Sequence, residues 1–135
     1  EKIQILGGEQ FSEQLFNTVK WMVGRGFKVV LMMDAPDFGF DPALCVYETK
    51  LNDVRCDISL EQHNGDQAIY RALFVAIAKH PNVELVDISD AICNKNTCSM
   101  LSEGRLLYRD NDHLNLIGSQ LAGEILIQKS KFLSQ

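Results

Sequence analysis

The sequence has 135 residues, 46% of them hydrophobic and only three of them proline, which predicts a packed globular domain and excludes a disordered chain. A net charge of -5 and a pI near 5.1 provide no basic face to neutralise phosphates, which argues against nucleic acid as a partner. The longest apolar run, residues 72–78, is far shorter than the roughly 20 residues that cross a bilayer, so we expect a soluble segment.

The N-terminus shows no sign of being the start of a complete protein. The sequence opens with Glu1-Lys2, without an initiator Met and without a basic-then-apolar leader. We therefore expect a domain that is incomplete on its N-terminal side. Any export signal or membrane anchor would then lie upstream of Glu1.

The first third of the sequence predicts a helix followed by a buried strand. Residues Gly8 to Gly24 have apolar side chains at helical spacing, and a Gly-Arg-Gly stop signal follows. These apolar positions are Phe11, Leu15, Val19, Met22 and Val23. The run Phe27 to Met33 shows no alternation, which is typical of a strand covered on both faces. Turn residues from Asp34 to Pro42 end this strand.

The middle of the sequence predicts a second helix and a second strand. No period is sustained from residue 43 to about Asn64, so we expect a long loop that carries function or is held by a cysteine bridge. The helix is predicted from about Asp66 to Lys79 and the strand from Val83 to Ile88. The apolar face of the helix consists of Ile69, Leu73, Ala76 and Ile77. This alternation predicts an α/β fold, a three-layer sandwich with a parallel sheet of the flavodoxin-like kind, as one domain over residues 1–135.

The last third of the sequence predicts a short extended piece and a closing helix. Residues Ala91 to Cys98 form a small excursion between cysteines, and Gly104 to Tyr108 is extended. The helix is predicted from about Leu116 to about Phe132, with Asn115 as its N-cap. Its inward positions are Ile117, Leu121, Ile125 and Leu126.

Four cysteines occur as two close pairs, Cys45 with Cys56 and Cys93 with Cys98. Of the three possible connectivities, this sequential one closes the shortest loops, and we favour it. Zinc ligation would need closer spacing and nearby histidines, and free buried thiols are the other alternative. We therefore predict no metal site. Two disulfides would place the domain in an oxidising compartment, the periplasm or the cell exterior.

Two of the three histidines are interpreted as structural. His63 lies in a polar stretch ahead of the predicted second helix, so we predict a solvated loop residue. His80 lies at the end of that helix, where an imidazole suits the helix dipole. Neither has a specific charge partner close in the sequence.

His113 differs because Asp110 precedes it by three residues on a turn before the last helix. Across such a turn, the carboxylate can accept a hydrogen bond from one ring nitrogen and leave the other nitrogen free as a base. If Leu106 to Tyr108 enters the sheet, the turn lies at the edge where α/β proteins bind ligands. An Asp and a His at a helix start are also ordinary capping residues, so composition alone leaves both interpretations open.

The block Tyr108-Arg109-Asp110-Asn111-Asp112-His113-Leu114 resembles the last motif of the SGNH hydrolase superfamily, in which the catalytic Asp and His lie three apart. More narrowly, it is similar to the SGNH domains of acyltransferase-3 membrane proteins. The pair Cys93 and Cys98 fits the same group. So does a strand ending in Ala35-Pro36 before a cysteine-bearing loop.

The sequence departs from that family at two places. Asn115 stands where the family usually has Ser, which touches no catalytic role. The family's nucleophile lies in a Gly-Asp-Ser block, and this sequence contains none, since Gly8-Glu9-Gln10 and Gly65-Asp66-Gln67 both lack the serine. Ser12 lies in a predicted helix and is not assigned. The nucleophile and the oxyanion-hole residues would then lie outside this segment, which alone would be inactive or nearly so.

The resemblance implies how the complete protein would work. A serine would attack an acyl group, His113 would take the serine proton, and Asp110 would orient the imidazole, while Asp112 is assigned to the turn. The implied reaction is O-acetylation of cell-surface polysaccharide at the periplasmic or extracellular face, by a protein attached to the inner membrane. The implied partners are an acyl donor, a surface glycan acceptor and a membrane acyltransferase domain of the same polypeptide, and no cofactor is implied.

Two alternatives come from other classes of protein. The first is a non-catalytic α/β module, a scaffold or glycan-binding domain with a degenerate SGNH fold. The second is a signalling receiver domain, because a strand ending at Asp34 before Pro36 also resembles a phosphoacceptor region. A receiver needs an acidic pair after its first strand and a lysine after a later one, and neither is evident in this sequence.

Overall fold

The computed structural model describes residues 8–48 and 56–134. Within them the chain forms four α-helices, six short strands and a 3₁₀ turn. In chain order these elements are α1 (Gly8–Gly24), β1 (Val29–Met32), α2 (Pro42–Glu48), β2 (Asp57–Ser59), α3 (Leu60–Ile77), β3 (Val83–Val86), the 3₁₀ turn (Ser89–Ala91), β4 (Thr97–Ser99), β5 (Leu101–Ser102), β6 (Arg105–Leu106) and α4 (Leu116–Lys129). Among the helices of these described residues, none combines the length and the apolar character needed to cross a membrane.

Strands β1 and β3 run side by side in parallel, with Val29 opposite Val83 and Met32 opposite Val86. Parallel neighbours cannot be joined by a hairpin, and the connection between these two strands carries α2 and α3. The mixture of helices with a parallel strand pair confirms the α/β class that the alternation of elements predicted.

Helices contact both faces of this strand pair. Successive residues of a strand point to opposite faces, so Val29 and Leu31 meet one set of helices and Val30 meets another. On the first face the buried cluster consists of Val19, Val29, Leu31, Ile77 and Val83, which brings in α1 and α3. On the second face it consists of Val86, Ile88 and Ala122, with Val30 and Leu126 against it, which brings in α4. Each fully buried aliphatic side chain contributes roughly 1.5–3 kcal/mol.

A separate core lies under the antiparallel pairs β2–β4 and β5–β6. Its buried side chains are Ala35, Phe38, Cys45, Cys56, Ile58, Ile92, Cys98, Met100, Leu107 and Tyr108. Disulfides join Cys45 to Cys56 and Cys93 to Cys98, across sequence separations of 11 and 5 residues. Closing loops of this size removes unfolded-state entropy worth roughly 2–3 kcal/mol each.

The prediction of a long loop from residue 43 to about Asn64 is wrong. The structure places α2, β2 and the first turn of α3 there, while residues 49–55 lie outside the described residues. Helix α3 begins at Leu60 because Ser59 caps it, with the Ser59 hydroxyl accepting a hydrogen bond from the Gln62 N–H at 3.0 Å. Ser-x-x-Gln is a capping-box pattern, and it marks the start of α3 in the sequence where hydrophobic periodicity does not.

Several side chains that were predicted to face the core are half exposed. Phe11 is 48% exposed, Ile69 47% and Met32 47%, so β1 is not covered along its whole length. In the described part of the chain, the parallel sheet has only two strands, and their outer edges meet no further strand. A sheet of two strands offers little apolar surface, so it cannot bury every apolar side chain of the helices that flank it.

Candidate active site

The turn that holds Asp110 and His113 is closed by backbone hydrogen bonds between its two ends. Tyr108 and Leu114 form an antiparallel bridge, and the Arg109 N–H donates to the His113 carbonyl oxygen at 3.0 Å. The condition that Leu106 to Tyr108 enters the sheet is not met by the parallel strand pair, because Leu106 pairs with Leu101 in the β5–β6 hairpin. The turn is therefore positioned by the hairpin on one side and by α4 on the other.

Asp110 and His113 are in direct contact. The Nδ1 atom of His113 lies 2.9 Å from one carboxylate oxygen of Asp110 and 3.1 Å from the other. The same carboxylate accepts the backbone N–H of His113 at 2.7 Å and that of Asp112 at 3.2 Å. Because the carboxylate is held by two backbone donors, it fixes the orientation of the ring. The sequence spacing predicted this pairing.

The protonation of the Asp110 carboxyl decides which ring nitrogen can act as a base. Desolvation raises the pKa of this carboxyl, but the N–H groups of His113 and Asp112 outweigh that effect and lower it from 3.8 to about 2. An ionised carboxylate only accepts hydrogen bonds, so Nδ1 of His113 must be the donor. In the neutral ring Nε2 then has no proton, and it can take one from a substrate or a nucleophile.

The His113 ring is open to its surroundings. Its side chain is 59% exposed and that of Asp110 is 43% exposed. Within residues 8–48 and 56–134, the hydrogen bonds of the ring are made by Nδ1, and no serine hydroxyl bonds to Nε2. The ring nitrogen that would act as the base therefore faces away from its carboxylate and toward open space.

Asp112 brings a second carboxylate to the same ring nitrogen. Its Oδ1 atom lies 2.9 Å from Nδ1 of His113, although the sequence pattern predicted only a turn residue at Asp112. One ligand atom from each of Asp110, Asp112 and His113 lies within 4.8 Å of the others, a spacing compatible with a cation. Both carboxylates already engage Nδ1, so this arrangement suits the orientation of an imidazole.

The turn is docked onto the loop that follows β1. The Phe38 N–H donates to the Asn111 carbonyl oxygen at 2.9 Å, and the Asn111 side-chain amide donates to Asp37 at 3.1 Å. The loop after β1 leaves the carboxyl end of a parallel strand, which is where α/β domains place their ligands. Asp110 and His113 therefore lie next to that edge although their own strand is not part of the parallel sheet.

Asn115 and Gly118 fix the start of α4 behind the turn. The side-chain oxygen of Asn115 accepts the Gly118 N–H at 3.0 Å, so Asn115 is the N-cap of α4, as predicted. Its amide nitrogen donates to the Leu106 carbonyl oxygen at 2.7 Å, from an atom one bond farther from the backbone than a serine hydroxyl would be. A Cβ atom on Gly118 would overlap the Leu107 carbonyl oxygen, so the helix approaches the chain closely here.

A cavity of about 460 Å³ opens between the carboxyl end of β1, one side of α3 and the turn. Small-molecule sites usually have volumes of about 300–1,000 Å³. Asp112 of the turn, Asp34 after β1, and His63 and Gln67 of α3 all lie in its wall. The carboxylate that contacts the His113 ring therefore borders this space.

The structure buries His63, which we had predicted to be a solvated loop residue, and that prediction is wrong. His63 is 1% exposed and Gln67 is 7% exposed, because α3 begins before them and turns both toward the body of the domain. Burial lowers the pKa of the His63 imidazole, and this effect outweighs the Asp87 carboxylate, which raises the pKa. His80, by contrast, is exposed, and its Nδ1 atom accepts the Asn82 N–H at 3.1 Å, a structural contact.

Two buried side-chain atoms of residues that line the cavity have no hydrogen-bond partner among the described residues. These atoms are Nε2 of His63 and Oε1 of Gln67. The other end of the Gln67 side chain is fixed, since its Nε2 atom donates to the Asp34 carbonyl oxygen at 2.7 Å. Leaving a buried polar atom unpaired costs about 1–3 kcal/mol of stability.

Comparison with known proteins agrees with the motif that surrounds His113. The family model described as "SGNH domain (fused to AT3 domains)" matches residues 2–128. No curated protein and no solved structure matches the chain. The family match extends well beyond the motif block and covers both disulfides, both parallel strands and nearly all of α4. The chain therefore belongs to the family of SGNH domains fused to AT3 domains, and it is an SGNH module associated with acyltransferases.

Proposed function

We propose that this chain supplies the base and its orienting acid for an O-acyltransferase that uses a Ser-His-Asp mechanism. His113 is the base, Asp110 holds its tautomer, and the serine comes from outside the chain of 135 residues. The observation that carries this proposal is the contact between Nδ1 of His113 and the ionised Asp110 carboxylate, at 2.9 and 3.1 Å, with the far side of the ring open. The family to which the chain belongs is the second support.

The geometry suits two proton transfers. In the first, Nε2 of His113 takes the proton of the serine hydroxyl as its oxygen attacks the acyl carbonyl, and the leaving group of the donor departs with that proton. The acyl group is then esterified to the serine. In the second, Nε2 takes the proton of an acceptor hydroxyl as that oxygen attacks the acyl-serine, and the proton returns to the serine. Asp110 stabilises the imidazolium in both steps.

The wider setting of the proposal follows from the family and from the cysteines. We infer O-acetylation of a cell-surface polysaccharide at the periplasmic or extracellular face of the inner membrane. The membrane acyltransferase domain would be part of the same polypeptide and would deliver the acyl group. Two disulfides fit an oxidising compartment. We also propose that residues 1–135 form a single domain, a three-layer sandwich with α1 and α3 on one face of the sheet and α4 on the other.

The test is acyl transfer by the full-length protein that carries this chain. His113→Ala should lower transfer to a surface glycan by at least about 10³-fold, because the base is lost. His80→Ala is the matched control, since that imidazole is exposed and accepts the Asn82 N–H in the turn after α3. Both variants should keep the wild-type circular dichroism spectrum. If His113→Ala retains transfer, the base is misassigned and a non-catalytic scaffold or glycan-binding role is favoured.

A further inference from the structure

One edge of the domain carries the amino ends of both parallel strands and the carboxyl ends of three helices. Helix α1 leads into β1 and α3 leads into β3, and the two strands begin side by side with Val29 opposite Val83. The end of α4 joins them, because the Lys131 N–H donates to a carboxylate oxygen of Glu84 at 3.0 Å. We call this surface the amino edge, and it consists of residues 21–28, 78–83 and 130–134.

The amino edge is basic although the whole chain is acidic. Its three segments contain Arg25, Lys28, Lys79 and Lys131 and no Asp or Glu. All four residues are exposed, and among the described residues no carboxylate forms an ion pair with any of them. The net charge of -5 predicted no basic face, and the amino edge corrects that prediction. The charge is unevenly distributed, since acidic residues such as Asp34 and Asp87 follow the opposite ends of the same strands.

Large aromatic side chains lie exposed among these basic groups. Trp21 is 55% exposed and Phe27 is 52% exposed. The Arg25 guanidinium lies over the Trp21 ring, 3.8 Å from its centroid, and the Lys28 Nζ atom lies 5.1 Å from the centroid of the Phe132 ring. Cations at helix C-termini commonly offset the helix dipole, but that role requires no exposed tryptophan beside them. Exposed aromatic rings interleaved with Lys and Arg are typical of surfaces that lie in the interface of a membrane.

We propose that the amino edge rests on the anionic surface of a phospholipid bilayer, with Trp21 and Phe27 at the level of the headgroups and the basic side chains beside lipid phosphates. Complementary charge supports a lipid partner, because unpaired cations on flexible stems match a diffuse layer of phosphates. Protein interfaces, by contrast, are depleted in lysine, and three of the four basic residues here are lysines. The fusion of this family to AT3 domains supports a bilayer nearby.

This contact would orient the domain on the membrane. The turn with His113 is docked on the loop that leaves the carboxyl end of β1, so it lies at the other end of the strands. Each strand has four residues at about 3.3 Å per residue, so the strands alone separate the two edges by about 13 Å. A domain that stands on its amino edge therefore holds the imidazole away from the lipid. The inference goes beyond the proposed function and does not depend on the role of His113.

The first experiment locates the amino edge relative to lipid in the full-length protein. The protein, without other free cysteines, is placed in nanodiscs of phosphatidylcholine alone or of an equal mixture of phosphatidylcholine and phosphatidylglycerol. A nitroxide spin label at Phe27→Cys reports its collisions with oxygen, which concentrates in lipid, and with a water-soluble nickel chelate. In anionic nanodiscs the label should become accessible to oxygen and protected from nickel. A label at Ile69→Cys, exposed on α3 outside the amino edge, is the control and should stay accessible to nickel.

The second experiment changes the charge of the amino edge. Each Lys or Arg near an anionic surface strengthens attachment by about fivefold, so the double variant Arg25→Glu, Lys28→Glu should lower the ratio of attached to free domain by at least about 25-fold. The matched control is Lys95→Glu, Arg105→Glu, which changes the net charge equally at exposed positions outside the amino edge. This control should keep the lipid contact of the label, and both double variants should keep the wild-type circular dichroism spectrum.

The outcomes separate lipid from other partners. Equal lipid contact of the Phe27 label in neutral and anionic nanodiscs would overturn the inference. A label that is immobilised without contact with lipid would assign the edge to a protein partner, such as the membrane acyltransferase domain, and would overturn it as well. Neither result touches the assignment of His113, which is tested by acyl transfer, and retained transfer in His113→Ala would leave the lipid contact standing.

Discussion

The hydroxyl group of Tyr108 donates a hydrogen bond to the backbone carbonyl oxygen of Pro36 at 2.9 Å, across 72 residues of sequence. Tyr108 is 1% exposed, and burial raises the pKa of its phenol, so the group stays protonated and remains a donor. Its ring also packs edge-on against Phe38, with 4.9 Å between the ring centroids. This contact connects the chain just before the Asp110–His113 turn to the loop that leaves the parallel sheet.

Replacing Tyr108 with Phe tests that tie. The ring would still fill its site, but the Pro36 carbonyl oxygen would lose its donor inside the protein. We expect the free energy of unfolding in urea to fall by about 1–3 kcal/mol. Tyr70→Phe is the control, because that side chain is half exposed. An unchanged free energy of unfolding for Tyr108→Phe would show that the hydrogen bond adds no net stability.

The two carboxylates that reach His113 should differ in importance. Asp110 accepts two backbone N–H groups, which hold it against the ring, whereas among the described residues no backbone N–H donates to the Asp112 carboxylate. Asp110→Asn should lower acyl transfer by the full-length protein by about 10³–10⁴-fold, because the amide allows the wrong tautomer. Asp112→Asn should lower it less than about tenfold. The reverse order would make Asp112 the orienting acid.

Asp110 should also make stability depend on pH in a narrow acid range. Its carboxyl has a pKa of about 2 in the folded protein, below its ordinary value of 3.8. The unfolded chain therefore binds the proton first, and the stabilisation is complete above about pH 4 and is lost as the pH falls through about 2. The difference in unfolding free energy between wild type and Asp110→Asn should shrink over that range. Glu124→Gln, an exposed acid on α4, is the control; a difference independent of pH would contradict the expectation.

Asn115 performs two tasks that can be separated by mutation. Asn115→Ser keeps an oxygen for the Gly118 N–H but loses the amide N–H that reaches the Leu106 carbonyl oxygen, and its shorter side chain places the hydroxyl farther from that oxygen, so the free energy of unfolding should fall by about 0.5–1.5 kcal/mol. Asn115→Ala loses the cap as well, which should cost about 1 kcal/mol more. Equal stability of the two variants in thermal or urea unfolding would show that the cap contributes nothing.

The disulfides give a chemical test of the oxidising compartment. Thiol titration of the denatured, unreduced protein should find no free cysteine, since all four are paired. The double variant Cys93→Ser, Cys98→Ser should lose roughly 2 kcal/mol of unfolding free energy, in keeping with the small loop that this bond closes. Four titratable thiols would remove the argument for an extracytoplasmic domain.

The part of the site that sequence could predict is local in the chain. Asp110 and His113 are three residues apart on one turn, so their spacing alone brings them within reach of each other. The contact of Asp112 with the same nitrogen depends on side-chain rotamers, which residue type and spacing do not determine. The predicted contact between Asp110 and His113 was therefore found, whereas the contact of the Asp112 carboxylate was not predicted.

The cavity could not be predicted because its parts are distant in the sequence. The hydrogen bond from Gln67 to Asp34 spans 33 residues, and the turn that closes the cavity lies farther along the chain. The early start of α3 was hidden as well, since its first turns are polar and the helical period is weak there. The helix was predicted to begin at about Asp66, which placed His63 in the preceding loop, so its burial was not predicted.

The close approach at Gly118 has a consequence for protein engineering. The Leu107 carbonyl oxygen that a Cβ at position 118 would strike also accepts the Asn115 N–H, so strand end, turn and helix start share one atom. Transplanting the Asp-His pair into another scaffold would therefore require residues 107–118 to move as one piece. A graft that carried only the two side chains would lack the backbone contacts that position the imidazole.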